Sequence, residues 1–526
     1  MTRKMLAIAG LALAASATTA LTPARAQDDK VSIVVNATQV FGTIDPARIN
    51  DYTEYMAAVN LYDGLTTVAG DGSIIPQLAE SWTVSDDNLT YTFKLKDDAT
   101  FQDGSPVEAS DVVYTLKRLL AINEGPSYLF SKLIDPEKLK AIDSHTVEIG
   151  LTKIYAPFLT TTPLILVVNE EAAKANSDDE WASDYIANHS IGAGPYMLAS
   201  WNRGSQMVID RYDDYHAGWE RGRPIDEIRF VITNDEATVK ALATKGELGM
   251  SADSQATETY EAIAAMDGYK IIETPTATAL YIKMNTKLPP TDDIHVRRAI
   301  AYATDYDTIR EAIYPGSPLS GPMAPAFADA YPDDLPAPEY NLEKAKEELA
   351  KSKYAGQDIT LTHSYVAGLS FEEDIALLMQ ANLEQIGITL DVRPEPWNRI
   401  TELASQPETT PNTTQVFNGP SYPSPDSVFY VQYDSAAAGT WASMEWLQNP
   451  EIDTLIDNAR TTTDVDKQND IYKELQRKIV DLQPDVFLLV ENRRYAASDC
   501  LQGYEFVPMM SWDTDFSRFT WDCSAE

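Results

Sequence analysis

Histidine and cysteine are scarce in this chain of 526 residues, which holds five of the first and two of the second. The histidines are His145, His189, His216, His295 and His363. They are scattered singly, with no i, i+4 pair to chelate a metal from one helix face. Each reads as a surface or satisfied core residue, and no metal or cofactor site is expected. No Gly-x-Ser-x-Gly elbow and no Gly-x-x-x-x-Gly-Lys phosphate loop occurs. Gly192-Ala193-Gly194-Pro195 contains a Gly-x-Gly, but proline follows and the third glycine is missing, so it reads as a turn. Basic charge is also sparse: 41 Lys and Arg against 80 Asp and Glu give a net charge of −39. Such a surface repels nucleic acid and anionic lipid, and its plainest role is solubility.

Long apolar runs are missing too, with one exception at the start. Arg3 and Lys4 precede an Ala-rich apolar stretch over residues 5–20, and Ala24-Arg25-Ala26 then offers a small-x-small cleavage site before Gln27. This is the layout of a secretory signal peptide cleaved after Ala26, the alternative being an uncleaved anchor. No cysteine stands near that point, so no lipid attachment is expected. The mature chain is expected free in an exported compartment, a bacterial periplasm. Its length is too great for one core and calls for two or three lobes. In an oxidising compartment Cys500 and Cys523 are expected to pair, the alternative being two buried free thiols.

Strand and helix signals alternate along the chain, as in a mixed α/β fold. Leu89, Tyr91, Phe93 and Leu95 alternate with polar residues, the period of a half-buried strand. A turn at Asp103-Gly104 precedes a helix that Ser110 can cap, with Val112, Val113, Leu116, Leu119 and Leu120 on its apolar face. Asn234 can cap a helix that Gly246 ends. Ser370 and Glu373 form a capping box before Ile375, Leu378, Met379 and Leu383, and Gly387 stops that helix before a strand over 388–392. Asn449-Pro450 and Asp464 open two further helices. Pro484 breaks the second, and residues 486–490 read as a short buried strand. Pro-rich loops lie at 315–338 and 420–425.

Acidic pairs such as Asp86-Asp87 and Asp292-Asp293 read as turn formers or helix-dipole partners. A spatial carboxylate pair of the glycosidase kind leaves an exported hydrolase as the competing class, although no positive signal for an enzyme is present. Aromatic residues are plentiful, with 27 Tyr and 9 Trp. Several sit beside Pro or Gly, as in Pro396-Trp397, Tyr422-Pro423 and Gly439-Thr440-Trp441. Placed on loops between lobes, they offer an organic ligand flat apolar area with a polar handle.

Ordered blocks then carry a resemblance. They are Leu61-Tyr62-Asp63-Gly64-Leu65, Pro76-Gln77-Leu78-Ala79-Glu80-Ser81-Trp82, Phe101-Gln102-Asp103-Gly104-Ser105-Pro106-Val107 and Gly192-Ala193-Gly194-Pro195-Tyr196. A further block begins at Asn285 and carries Pro289-Pro290, Asp293, Val296-Arg297 and Ala299. Together they resemble the peptide/nickel-type extracytoplasmic solute-binding proteins of ABC importers. The resemblance implies two α/β lobes joined by two crossing segments, with an extra domain inserted in the first lobe. Lobe I is then 27–65, 191–283 and 491–526, the insert 66–190 and lobe II 284–490. Both cysteines fall in the last return to lobe I, which suits a bridge there.

The resemblance also implies where a ligand is met. Those positions are Asn50, Asp51 and Tyr52 after Asp45-Pro46, Tyr281 on a crossing strand, Trp397 on a loop, and the loop beginning at Asn418 with Ser421 and Tyr422. Trp441 joins them as a loop aromatic. Many peptide-binding members hold an Asp four residues before the proline of that last loop, where it pairs with the ligand ammonium. Here Ser421 takes its place, and a neutral hydroxyl cannot supply that charge-assisted bond. A short peptide is the first ligand reading. An oligosaccharide or opine is the second, with other organic solutes or a metal chelate after them. The implied partners are this small solute and the membrane subunits of the importer, served by a monomer.

Overall fold

The computed structural model describes residues 30–49 and 51–524; the expected signal peptide and Asn50 lie outside them. Among the described residues no helix is long and apolar enough to cross a membrane.

Two long strands organise the molecule. Tyr269–Met284 and Asp485–Ser498 run antiparallel, paired from Tyr269 opposite Ser498 to Lys283 opposite Asp485. At one end, Met250 of strand Leu248–Met250 pairs with Ala497. Strand Ser32–Ala37 follows, parallel to Leu248–Met250 and to Glu227–Ile232. At the other end, Thr413–Asn418 pairs with residues 279–284 and continues in parallel to Ile359–Val366 and Ile388–Glu395. One 11-stranded sheet thus serves both lobes, and the two long strands are the crossing segments. Their ladder is interrupted between Pro275 and Ala279. Proline cannot donate to a ladder, and such an irregularity bends a strand.

Alternation along Tyr269–Met284 builds the core of lobe II on both faces of its sheet. Leu280, Ile282 and Met284 enter one apolar cluster with Ile300, Leu361 and Met379. Ala279 and Tyr281 enter another with Phe429, Tyr472 and Ile479. This follows from the two-residue period of a strand. A separate antiparallel sheet of four strands, ordered Ala79–Val84, Thr90–Leu95, Thr146–Leu151 and Ile134–Asp143, covers the early part of the chain. Tyr91, Phe93 and Leu95 face inward there and share one continuous core with lobe I.

The recurrent blocks turn out to be joints. Asp63 accepts hydrogen bonds from Gln77 Nε2 (2.6 Å) and Tyr215 Oη (3.2 Å), and pairs with His216 Nε2 (2.6 Å). Gly194 lies so close to the end of helix Tyr52–Leu61 that a Cβ would stand 2.5 Å from the Tyr62 nitrogen. Arg297 donates to the carbonyls of Leu482 and Gln483 and so closes helix Val465–Leu482.

Several expected helix starts move by a residue or two. Helix Ala109–Ile122 begins at Glu108, whose N–H donates to Asp111 at 2.9 Å, so Ser110 lies inside the first turn. Asp235, not Asn234, caps helix Glu236–Thr244. Helix Ser370–Glu384 starts without a side-chain cap at Leu369. Ser370 is already helical, and Glu372 reaches back to the Val366 N–H at 2.7 Å. Asn449 and Asp464 cap their helices as expected. The strand expected over 486–490 extends to Asp485–Ser498, because the charged residues beyond Val490 find buried partners. Cys500 and Cys523 are disulfide-bonded.

Candidate functional site

A cavity of about 550 Å³ opens beside the crossing strands, with walls from both lobes. That size falls in the range of small-molecule sites, ~300–1,000 Å³. Its walls sit where parallel strands end. Thr38 and Gln39 follow Ser32–Ala37, and Asp253 and Ser254 follow Leu248–Met250. On the other lobe, Val366 ends Ile359–Val366, Trp397 follows Ile388–Glu395, and Gly419 and Pro420 follow Thr413–Asn418. The carboxyl ends of parallel strands are where open α/β sheets place ligands, since the loops there are free to vary on a rigid base.

The wall from lobe II is largely aromatic. Trp397 meets Trp441 edge to face at 5.6 Å. Phe371 and Phe417 flank Tyr314, with centroids 4.5 and 5.6 Å from its ring. Such rings can cover apolar or planar parts of a solute.

The wall from lobe I and the crossing strand combines the apolar Phe506, Val507, Met509 and Met510 with an ionic cluster. Arg493 is buried, and its Nη1 meets Asp513 at 3.0 Å, its Nη2 Glu491 at 3.2 Å and its Nε Asp253 at 3.4 Å. Tyr314 donates to Glu491 at 3.0 Å, and Tyr504 donates to Asp513 at 2.9 Å. The guanidinium lies over the Tyr52 ring at 5.4 Å, and Tyr52 Oη shares a hydrogen bond with Tyr495 Oη. Burial pushes the Asp253 carboxyl up, with Arg493 opposing and the Glu491 charge adding to the rise. Burial holds Arg493 back, but the Glu491 and Asp513 carboxylates keep it firmly protonated. Asp51 caps helix Tyr52–Leu61 by accepting from Glu54 N at 3.0 Å, and burial raises its pKa against those bonds.

Glu372 also lines the cavity. Burial pushes its carboxyl up to about 8 from an ordinary 4.5, so it is mostly protonated at neutral pH. The folded chain then holds an extra proton between these values, and stability falls as pH rises from 4.5 through 8. Glu372→Gln keeps an oxygen for the Val366 N–H and removes the titration. In urea melts the variant should gain on the order of 4 kcal/mol over the parent at pH 8.5, and almost nothing at pH 4.5.

Four of the expected contact residues meet at this cavity: Asp51, Tyr52, Trp397 and Trp441. Trp397 is the first residue of helix Trp397–Leu403 rather than a loop residue, because Pro396 presets a helix start. Tyr281, Asn418, Ser421 and Tyr422 are not among the lining residues. Tyr281 is packed in the lobe II core, where its hydroxyl donates to Pro322 O at 2.9 Å. Asn418 is buried at the end of its strand. Ser421 is half-buried and hydrogen-bonds the Tyr128 side chain. Tyr422 is fully buried and donates to Asp426 at 2.7 Å, facing away into a cluster with Tyr155. Asn50 lies outside the described residues.

The charged wall of Asp253, Glu491 and Arg493 escaped the reading of the sequence. One signal was present: Glu491 and Arg493 continue an apolar strand at alternate positions, which places both charges on one face. Asp253 follows a three-residue strand and carried no signal.

Comparison with known proteins agrees with this architecture. The family described as bacterial extracellular solute-binding proteins, family 5, middle region, matches residues 73–440. The probable D,D-dipeptide-binding periplasmic protein DdpA of Escherichia coli (strain K12) is 27% identical over 480 residues, covering 89% of this chain and 90% of its own. The glutathione-binding protein GsiB of Pectobacterium atrosepticum is 29% identical over 532 residues, covering 98% of this chain and 97% of its own. Among solved structures, the periplasmic binding protein DppA of Helicobacter pylori, in complex with the peptide STSA, superposes with a TM-score of 0.81 at 21% identity. That match covers 93% of this chain and 98% of DppA.

Proposed function

This chain belongs to the family 5 bacterial extracellular solute-binding proteins, and from that membership we propose that it captures a short peptide between its lobes and delivers it to the membrane subunits of an ABC importer. The observation that carries the proposal is the cavity of about 550 Å³ between the lobes, which sets aromatic rings of one lobe opposite an ionic cluster and an apolar patch of the other. Relatives that bind a dipeptide or glutathione, alike along nearly the whole chain, support the choice of a peptide over a sugar or opine. The protein acts as a binder, not a catalyst. It works as a monomer in the periplasm, released by cleavage after Ala26.

The proposed division keeps 27–65, 191–283 and 491–526 as lobe I, 66–190 as the insert and 284–490 as lobe II. Closure bends the crossing strands near the ladder interruption after Pro275, and ligand shifts the population from open to closed. In this reading Asp51, Tyr52, Trp397 and Trp441 touch the ligand. Tyr281, Asn418, Ser421 and Tyr422 support the walls from behind.

Trp397→Ala tests this assignment. Trp397 is half-buried and packs on Trp441 over the small cluster of Ile400, Ala404, Val416 and Met444, so its truncation costs far less stability than loss of a fully buried ring. By calorimetry with short peptides, the variant should bind about ten-fold or more weakly, while the melting temperature of the empty protein stays nearly unchanged. Unchanged affinity together with a marked loss of stability would assign Trp397 to the core instead.

A further inference from the structure

We infer that the cavity holds its ligand by a positively charged amine set against Asp253, and that it provides no cation for a ligand carboxylate. The inference rests on the peptide reading and narrows it to peptides that are cationic or lack a free C-terminal carboxylate.

The first observation is a count of charge. Five ionisable residues of aspartate, glutamate, lysine or arginine type line the cavity: Asp51, Asp253, Glu372, Glu491 and Arg493. The one base is already committed, with Asp513, Glu491 and Asp253 each facing a different nitrogen. Three carboxylates around one guanidinium leave an excess of negative charge in a place poor in water. Glu491 and Asp513 have further donors in Tyr314 and Tyr504. Asp253 does not: among the described residues no side chain donates a hydrogen bond to it, and Arg493 stands off at 3.4 Å. A partly exposed carboxylate with open lone pairs, beside surplus like charge, is completed by a cation with N–H donors.

The second observation is independent and lies on the other lobe. Gln415 lines the cavity and is fully buried. Its amide orientation is fixed by a chain of bonds. Thr413 donates its hydroxyl to Thr362 O, so its oxygen accepts from His363 Nδ1 at 2.9 Å. His363 Nε2 is then the acceptor, and Gln415 Nε2 donates to it at 3.1 Å and to Glu372 O at 2.8 Å. Burial pushes the His363 pKa down to about 3, so this imidazole stays neutral. Gln415 Oε1 is left buried without a partner. A buried acceptor in that state is costly unless a ligand donor reaches it. Both lobes therefore lack the same thing, an N–H donor. The neutral Ser421 fits this arrangement, because the ligand charge is met from lobe I instead.

Calorimetry on the mature protein at pH 7 tests the inference with three probes: Ala-Ala-Ala, its C-terminal amide and its N-acetyl derivative. The amide should bind about three-fold or more tightly than the free tripeptide, whose carboxylate finds no cation, and acetylation of the amine should weaken binding about thirty-fold or more. Asp253→Asn should weaken the amide about ten-fold or more and leave the acetylated peptide nearly unchanged. Acetylated peptide binding as tightly as the amide, or an Asp253→Asn variant with unaltered preference, overturns the amine subsite and leaves the peptide reading standing. Spermidine and cadaverine binding where no peptide does would overturn the peptide reading and keep the subsite. Binding of neither peptide nor polyamine overturns both. The wild-type panel decides these outcomes even where a variant folds poorly.

Discussion

Replacing Arg493 with methionine should lower the unfolding free energy by about 3–5 kcal/mol, because it strands buried carboxylates around a lost cation. Asp513 and Glu491 are only 2% and 5% exposed, so water cannot replace the guanidinium. The loss should shrink on acidification. Without Arg493 the clustered carboxylates repel one another with no opposing charge, so protonation relieves the variant and it recovers relative to the parent as pH falls. Arg493→Lys should recover only part of the loss, since a point charge cannot serve carboxylates lying on three sides of a planar fork. Urea melts at pH 7 and pH 5 measure both effects. A deficit under about 1 kcal/mol at pH 7 would mean that these charges are solvated and that the cluster contributes little.

The double variant Cys500→Ser with Cys523→Ser should lose roughly 3 kcal/mol, the chain-entropy cost of releasing a loop with a sequence separation of 23. The bond sits beside a short ladder in which Leu501–Gln502 pairs with Thr520–Trp521, and Asp522 N–H donates to Cys500 O at 2.8 Å. The closed loop carries part of the cavity wall, since Phe506, Val507, Met509 and Met510 all line it. Ligand affinity should therefore fall together with stability. Reductant should reproduce the stability loss in the parent and have no effect on the double variant. Equal stability of parent and variant would show that the tail is held by its packing alone, through Trp512, Phe516 and Phe519 in the main core.

Period and punctuation made much of the fold legible. The strand around Tyr91 and Phe93, the helix face of Val112, Leu116 and Leu119, and the helix starts at Asn449 and Asp464 follow from alternation, helical spacing and capping chemistry. The one- or two-residue slips at Ser110, Asn234 and Ser370 share a cause. Neighbouring Asp and Glu residues compete for the same free N–H groups, and tertiary partners such as the Val366 N–H decide the outcome. Of the expected contact residues, Asp51 and Tyr52 after Asp45-Pro46 and the aromatics Trp397 and Trp441 beside Pro and Gly line the cavity. Tyr281 and Tyr422 looked equally suitable, but strand phase and the Asp426 hydrogen bond turn them inward. The Asp253–Arg493 pairing joins residues 240 positions apart, and local spacing does not encode it.

The central claim is ligand capture without turnover, and one measurement addresses it most directly. The purified mature protein is titrated with a mixture of di-, tri- and tetrapeptides while thermal unfolding is followed, and the peptides are recovered afterwards for mass analysis. Saturable stabilisation is expected, about 2.7 kcal/mol at a hundredfold excess over the dissociation constant of the best peptide, with every peptide recovered intact. An unchanged unfolding curve with all peptides, or recovery of cleaved fragments, would contradict it.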